Sequence, residues 1–354
     1  MAKDAYQFGI IGAGMIAEVH AQALANMPNA EMVAVCTRRL EQAEAFASKH
    51  GCKAYDHLDA MLAHDGLDIV TLCTPSGAHL EPAVAAAEAG KHVIVEKPLE
   101  VTLERIDKMV AACDANNVML CGILPRRFMR STQLCKQAID QGRFGKLTLA
   151  EASVKWWRPQ SYYDSGAWRG TWELDGGGAL MNQSIHTVDL LLHLMGDVQR
   201  VSGFAGCAAH TNIEVEDVAV AILEFTNGAR GVIQGSTACW SAAGHPAQVQ
   251  ICGTAGSAFM ADDRFSVWEF ADPQPEDAKV LEMYGVNADA AGAGAADPTA
   301  INFTWHQHNF EEAVAALRED RPPTLGGAES RKAVEVIAAI YASAAQGGQP
   351  ITLT

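Results

Sequence analysis

Apolar residues in this chain follow two rhythms. Through the first third, short unbroken apolar runs alternate with stretches where apolar residues recur every three or four positions. The runs at 6–11, 31–36, 68–73, 92–95 and 118–121 read as buried strands, and the stretches at 15–27, 40–49, 58–63, 78–89 and 103–116 read as helices. Strands alternating with helices at this spacing predict a parallel, doubly wound sheet, an α/β domain over 1–123. Beyond it the rhythm changes. A helix at 132–141 and an alternating strand at 147–157 precede a long amphipathic helix at 179–195, entered from Gly176-Gly177-Gly178. Strands at 198–208, 215–225, 229–237, 246–252, 257–260 and 265–270 then follow without intervening helices. That run predicts an α+β domain, 124–354, built on a large, open, mostly antiparallel sheet. An Ala/Gly-rich loop at 288–296 and helices at 301–317 and 329–345 complete it. One face of the large sheet should lie on its own helices. The other is free to pair with a second subunit, so a homo-oligomer, dimer or tetramer, is expected.

Length and composition narrow the class. A chain of 354 residues suits two domains, and with 49% hydrophobic residues it buries large cores. The net charge of −16 leaves no basic face for nucleic acid and disfavours anionic membrane surfaces. The nine cysteines are scattered, with no Cys-x-x-Cys, and read as buried free thiols of a reducing compartment. No signal-peptide pattern opens the chain and no apolar run reaches membrane-spanning length, so a soluble, cytoplasmic protein is expected.

The candidate chemistry begins at the first strand. Phe8-Gly9-Ile10-Ile11-Gly12-Ala13-Gly14-Met15-Ile16-Ala17 is strand, tight turn, helix, with the spacing Gly-x-Gly-x-x-Ala. Gly12 permits the turn, Gly14 the approach of a pyrophosphate, and Ala17 close packing of helix on strand. The helix start at Met15 and Ile16 offers free N–H groups to phosphates. Two further loops, Thr74-Pro75-Ser76-Gly77-Ala78-His79 and Glu96-Lys97-Pro98-Leu99, follow strand ends, where ligands of doubly wound sheets bind. In the second domain Asn182, His186 and Asp189 fall at i, i+4 and i+7 of the predicted helix, a polar stripe on an apolar element, and His193 continues it. Neither His306 nor His308 has metal-type spacing to that helix, and no metal site is assigned. The stretch Trp156-Trp157-Arg158-Pro159-Gln160-Ser161-Tyr162-Tyr163 reads equally as a ring-stacking, acid-pairing site or as a strand end with packing aromatics.

Taken in order, these motifs, with Arg126-Arg127-Phe128, Trp168-Arg169 and Arg331-Lys332-Ala333, closely resemble the glucose–fructose oxidoreductase, inositol dehydrogenase and rhizopine catabolism family (Gfo/Idh/MocA). The resemblance implies an N-terminal Rossmann dinucleotide-binding domain, an open-sheet second domain for substrate and oligomer contacts, a nicotinamide cofactor, and redox chemistry on a hydroxyl of a sugar, cyclitol or sugar-acid derivative. It implies that Lys97 and His186 are catalytic and that Thr74, Pro75, His79, Glu96, Lys97, Trp168 and Arg169 touch the cofactor, beside Gly12, Gly14, Met15 and Ile16. Arg127, Arg158, Tyr163, Asn182 and Asp189 are the candidate substrate contacts. Many members carry aspartate where this chain has Asn182, which interrupts a carboxylate–histidine relay.

The chemistry is consistent with these residue types. Alcohol oxidation needs a base for the hydroxyl proton and a cation for developing alkoxide charge; His186 is assigned the first role and Lys97 the second, and the reverse assignment stays open because a desolvated lysine can also act as a base. After the second strand, Val35-Cys36-Thr37-Arg38-Arg39 lacks the acid that holds a ribose 2′-hydroxyl in NAD-type folds. Thr37 and Arg38 can hold a 2′-phosphate, so NADP is expected over NAD. Arg127, Arg158 and Arg169 point to a polar, acidic sugar derivative. The competing readings are a cofactor-binding regulator without turnover and a glycoside hydrolase of the same fold that recycles NAD.

Overall fold

A computed structural model describes residues 3–286 and 302–353. They form two compact units, the first comprising residues up to Pro125 together with 302–331, the second Arg126 to 286 together with Lys332 to 353.

In the first unit β1 (Tyr6–Ile11), β2 (Ala30–Cys36), β3 (Lys53–Tyr55), β4 (Ile69–Leu72), β5 (His92–Val95) and β6 (Leu120–Gly122) form a parallel sheet in the order β3-β2-β1-β4-β5-β6. Helices α1 (Met15–Ala25), α2 (Leu40–His50), α3 (Leu58–Leu62), α4 (Leu80–Glu88) and α5 (Leu103–Ala115) connect the strands. The doubly wound sheet expected from the apolar runs is present. All four residues of β4 are buried, as a central parallel strand covered on both faces requires. The adjacency of β1, β4 and β5 brings the loops after them together at one edge.

The second unit carries β7 (Leu147–Lys155), β8 (Val198–Gly206), β9 (Val218–Phe225), β10 (Arg230–Ser236), β11 (Gln248–Gly253), β12 (Gly256–Ala261), β13 (Arg264–Phe270) and β14 (Ile351–Thr352) in one sheet. Its order is β13-β12-β11-β7-β10-β9-β8-β14. Only β7 and β10 pair in parallel; the other neighbours are antiparallel. Its helices are α6 (Arg130–Asp140), α7 (Gln160–Asp164), α8 (Ile185–Met195) and α9 (Pro275–Tyr284). Helix α8 packs on β7 and β11. Along β9 Ala219, Ala221, Leu223 and Phe225 are buried while Val220 and Ile222 face outward. Ile222 is 62% exposed and Phe204, which pairs with Val220 across β8–β9, 66%.

Two helices follow, α10 (Phe303–Arg318) and α11 (Gly327–Ala345). The sequence pattern assigns everything after residue 123 to one domain, yet α10 folds with the first unit. Its buried stripe of His306, Asn309, Phe310, Ala313 and Val314 packs on α1, with Phe310 edge-on to Phe8 at 5.9 Å. Asn309 closes the end of β6: its Oδ1 accepts from Leu124 N at 3.0 Å and its Nδ2 donates to Gly122 O at 3.2 Å.

The predicted helix over 179–195 is two elements. Ala179–Ser184 is a π-helical turn, and α8 begins only at Ile185. Gly177 has φ +152°, and an added Cβ would collide with the Tyr341 hydroxyl. A Cβ at Gly178 would overlap the carbonyl of Glu216. The glycine run thus lets β9's approach and α11 close on the start of this turn. Short elements β3, α7, α9 and β14 are further additions to the predicted set, and the 288–296 loop lies outside the described residues. All nine cysteines are free; five are buried, but Cys207 is exposed, a departure from the buried-thiol expectation. No helix among the described residues is long and apolar enough to cross a membrane.

Candidate active site

In the first unit the glycine turn has the geometry its sequence requires. Gly12 takes φ +100°, where a Cβ would sit 2.7 Å from the Cys73 carbonyl, while a Cβ at Gly14 would meet nothing within 4 Å. Ala17 is fully buried. Gly14 caps α1 without a side-chain hydrogen bond, so the first-turn N–H groups beside exposed Met15 and half-buried Ile16 suit an anionic group. Gln42 Nε2 donates to Ala13 O at 3.2 Å, tying α2 to the turn. After β2, Thr37 is half-buried and Arg38 exposed.

The loops after β4 and β5 are stapled together by His79. Its Nδ1 faces Pro98 O at 3.0 Å and its Nε2 faces Thr74 O at 3.1 Å. Thr74 Oγ1 donates to Ala78 O, closing the first loop; Pro75 is half-buried. Glu96 is turned inward rather than toward a ligand. Its Oε1 lies 2.9 Å from His20 Nε2 and 3.4 Å from His306 Nε2, and its Oε2 accepts from Lys97 N at 3.0 Å. The side chains of His79 and Glu96, which the resemblance puts against the cofactor, are thus engaged with the chain itself. Lys97 is the one residue between Val93 and Glu100 that is not buried. The sequence reading assigns no metal, and it missed that His20, Glu96 and His306 bring one ligand atom each within 4.8 Å of one another. A histidine on the apolar face of α1 was the available signal.

In the second unit the expected substrate residues sort into two sets. Arg127 and Asp189 satisfy each other: Nε–Oδ2 is 2.8 Å, Nη2–Oδ1 2.6 Å, and both residues are buried. This pair ties α8 to the Pro125–Phe128 turn, and Arg127 Nη1 lies 3.4 Å from His193 Nδ1. Each charge is thus engaged by the other. Tyr163 is likewise a core residue, its hydroxyl 2.8 Å from Thr237 Oγ1. The neighbouring Tyr162 takes the polar position instead. Its hydroxyl accepts from Arg169 Nη1 at 2.6 Å and Gln183 Nε2 at 2.9 Å. Burial pushes its phenol pKa up.

Around Tyr162 the rest of the set assembles. Arg169 stacks on the rings of Tyr162 and Trp168, at 4.3 and 4.6 Å. Arg158, only 2% exposed, donates from Nε to Gln183 Oε1 and lies 4.9 Å from the Trp156 ring. Asn182 sits on the π-helical turn, so the i, i+4, i+7 stripe of a regular helix is not the arrangement found. Its Nδ2 donates to buried Asp175, and its Oδ1 accepts from Gln183 Nε2 at 2.5 Å. The turn is held by Glu216, which accepts from Gly178 N at 3.0 Å, Leu180 N at 2.7 Å and Tyr341 Oη at 2.9 Å. His186 follows as the second residue of α8, half-buried. Asp175, Gln183 and Glu216 were not singled out from the sequence. Their roles depend on pairings across the fold.

Comparison with known proteins places this arrangement. Residues 6–122 match the model of an oxidoreductase family with an NAD-binding Rossmann fold, and 132–259 match a GFO/IDH/MocA C-terminal domain. Among solved structures, the WlbA dehydrogenase of Bordetella pertussis, in complex with NADH and UDP-GlcNAcA, is 35% identical with a TM-score of 0.90, over 100% of this chain and 99% of that one. The WlbA dehydrogenase of Chromobacterium violaceum, with the same two ligands, is 31% identical with a TM-score of 0.88, over 100% and 97%. The myo-inositol 2-dehydrogenase of Thermotoga maritima is 28% identical over 76% of this chain and 79% of its own length.

Buried histidines of the first unit make its stability depend on pH. Burial holds His20, His79 and His92 below the ordinary value of 6.5, against the pull of neighbouring carboxylates. The folded form therefore favours neutral rings, while the unfolded chain takes up protons near 6.5, so stability falls as pH drops below that value. Burial pushes Glu96 up, but the hydrogen bonds from His20 and His306 outweigh it and hold the carboxyl well below 4.5. That contribution is intact above 4.5 and is lost only as pH falls through the folded value. Urea midpoints measured from pH 7.5 to 5 should decline, and His20→Gln should flatten the decline; an unchanged slope in the variant would contradict the assignment.

Proposed function

Because the chain belongs to the Gfo/Idh/MocA family of NAD-binding oxidoreductases and is a nicotinamide-dependent dehydrogenase of CH–OH groups, we propose that its substrate is an acidic, nucleotide-linked sugar. The observation that carries the cofactor side is the edge where the loops after β4 and β5, stapled by His79, adjoin the Gly12–Gly14 turn. The turn leaves space at Gly14 and uncapped amides at α1, which fits a dinucleotide pyrophosphate. When bound, the nicotinamide supplies the hydride-transfer chemistry. His186 takes the hydroxyl proton, and the Lys97 ammonium orients the hydroxyl and stabilises alkoxide charge. Support for an acidic sugar comes from Arg158 and Arg169, gathered with Tyr162 and Gln183 on one side of the π-helical turn, and from the uronic-acid nucleotide held by the 35%-identical Bordetella structure.

The dinucleotide choice rests on the end of β2. Both WlbA structures hold NADH, so NAD is accepted in this reading. Exposed Arg38 next to Thr37 adds acceptance of the 2′-phosphate. The outward apolar residues Phe204, Val220 and Ile222 form the surface that a second copy of the chain covers, since such a patch is costly to leave in water.

Four measurements test these readings. Lys97→Met and His186→Asn should each lower kcat by about 100- to 10,000-fold while dinucleotide binding, read by fluorescence, persists; near-normal turnover in either removes that residue from the mechanism. On a panel read by NADH formation, UDP-GlcNAcA should exceed myo-inositol in kcat/KM, and the reverse order would overturn the acidic-substrate assignment. Arg38→Ala should raise KM for NADP about tenfold or more, the loss of one charge-assisted pair, with KM for NAD little changed; equal effects on both would remove Arg38 from the choice. Sedimentation should show a multimer that Ile222→Lys shifts to lower mass; a monomeric parent protein would refute the interface.

A further inference from the structure

We propose that Glu96 is a positioning residue for Lys97, its buried carboxylate linking the lysine's main chain to His20 on α1 and His306 on α10. The inference rests on the reading of Lys97 as catalytic and concerns what holds it.

Glu96 is 6% exposed and its two oxygens are divided between two tasks. Oε1 accepts from His20 Nε2 at 2.9 Å and lies 3.4 Å from His306 Nε2; Oε2 accepts from the Lys97 amide at 3.0 Å. The His20 ring is itself oriented, with Nδ1 3.0 Å from Thr71 Oγ1 and 3.2 Å from Cys73 Sγ on β4 and the residue after it. A neutral ring that donates from Nε2 to Glu96 and accepts at Nδ1 from the Thr71 hydroxyl satisfies both of these partners. Phe310 lies edge-on to His20 at 5.1 Å and closes the cluster from the α10 side.

The chain is fixed on the other side of Lys97 as well. His79 faces the carbonyls of Pro98 and Leu99 at 3.0 and 3.2 Å. Fully buried Glu100 accepts from the amides of His79, Leu80 and Val101 and from Arg105 Nη2. Lys97 is thus a half-buried residue between two anchored carboxylates. A lysine has four rotatable side-chain bonds, so fixing its Cα narrows where the ammonium can reach. Misplacement of a reacting group by about 1 Å can cost on the order of 100-fold in rate.

The carboxylate cannot be replaced by its amide without conflict. An ionised Glu96 presents only acceptors to the His20 ring N–H and the Lys97 amide. In Glu96→Gln one end of the side chain becomes an NH₂ that must face either the histidines or the Lys97 amide, and one anchor is lost at constant shape.

Glu96→Gln, His306→Gln, Lys97→Met and the Glu96→Gln/Lys97→Met double variant should be compared with the parent enzyme. Glu96→Gln should lower kcat about tenfold or more, leave KM for the dinucleotide within about threefold, and shift the pH dependence of kcat; His306→Gln should do so to a smaller degree. In the Lys97→Met background, adding Glu96→Gln should cost nothing further, because Glu96 acts through Lys97. Loss of thermal stability with kcat and its pH profile unchanged would reduce Glu96 to a structural role and overturn the proposal. Full additivity in the double variant would overturn it too. If Lys97→Met retained parental turnover, the catalytic reading of Lys97 would fail and take this inference with it, a result distinct from the other two. A divalent metal retained stoichiometrically by the purified enzyme and lost in His306→Gln would assign the trio to metal binding and equally refute positioning.

Discussion

In each unit, buried carboxylates that accept main-chain N–H groups hold irregular segments in shape. Glu96 accepts from Lys97, Glu100 from His79, Leu80 and Val101, Glu216 from Gly178 and Leu180, and Asp217 from Ala208, Ala209 and His210. Each of these acids lies in or beside a segment carrying a candidate residue. Burying an ionised carboxyl is unfavourable by several kcal/mol unless the lone pairs are satisfied, and irregular backbone leaves amides that need acceptors. The two deficits cancel only when the loop takes one particular shape. The acid therefore selects a conformation, which a hydrophobic contact of equal area would not do. Burial pushes the Glu216 carboxyl up in spite of its two amide donors and Tyr341.

This explains how far the sequence could be read. Features set by local periodicity were legible: the apolar run at 92–95 is β5, and the glycine spacing at Gly12 and Gly14 is a turn with the dihedral the motif needs. Features set by contact between distant segments were not. His20 and Glu96 are 76 residues apart in sequence, and His306 joins them from a helix that the pattern assigned to the other domain. The π-helical turn is invisible for the same reason. Ala-Leu-Met-Asn-Gln-Ser carries an ordinary helical pattern, and what widens the turn is Glu216 gripping its first amides beside glycines that let β9's approach come close. The two tyrosines at 162 and 163 show the limit at its finest. Either could face the polar cluster; the short α7 gives Tyr163 to Thr237 and the core, leaving Tyr162 to meet Arg169 and Gln183.

The asparagine at 182 gains meaning from what lies behind it. A neutral amide carries no charge to a neighbouring histidine, but here its NH₂ group donates to Asp175, whose other oxygen accepts from Gly170 N at 2.9 Å. The carboxylate is thus present one residue further back, with the amide as an oriented spacer. Asn182 Oδ1 in turn accepts from Gln183 Nε2, so both ends of the amide are fixed.

The same electrostatics reconciles a chain of net charge −16 with an anionic ligand. Surface charges are screened over about 8 Å at physiological ionic strength, so the overall excess of acid acts weakly at a distance. The local balance decides instead. Arg127 is cancelled by Asp189 and contributes structure. Arg169 is directed by a tyrosine hydroxyl and two aromatic faces, and Arg158 by Gln183 and the carbonyl of Trp157. The partners of Arg169 orient its guanidinium while carrying little opposing charge. A guanidinium held this way keeps more of its attraction for an incoming carboxylate or phosphate than one already paired with an acid, and its ordering has been completed during folding rather than charged against binding.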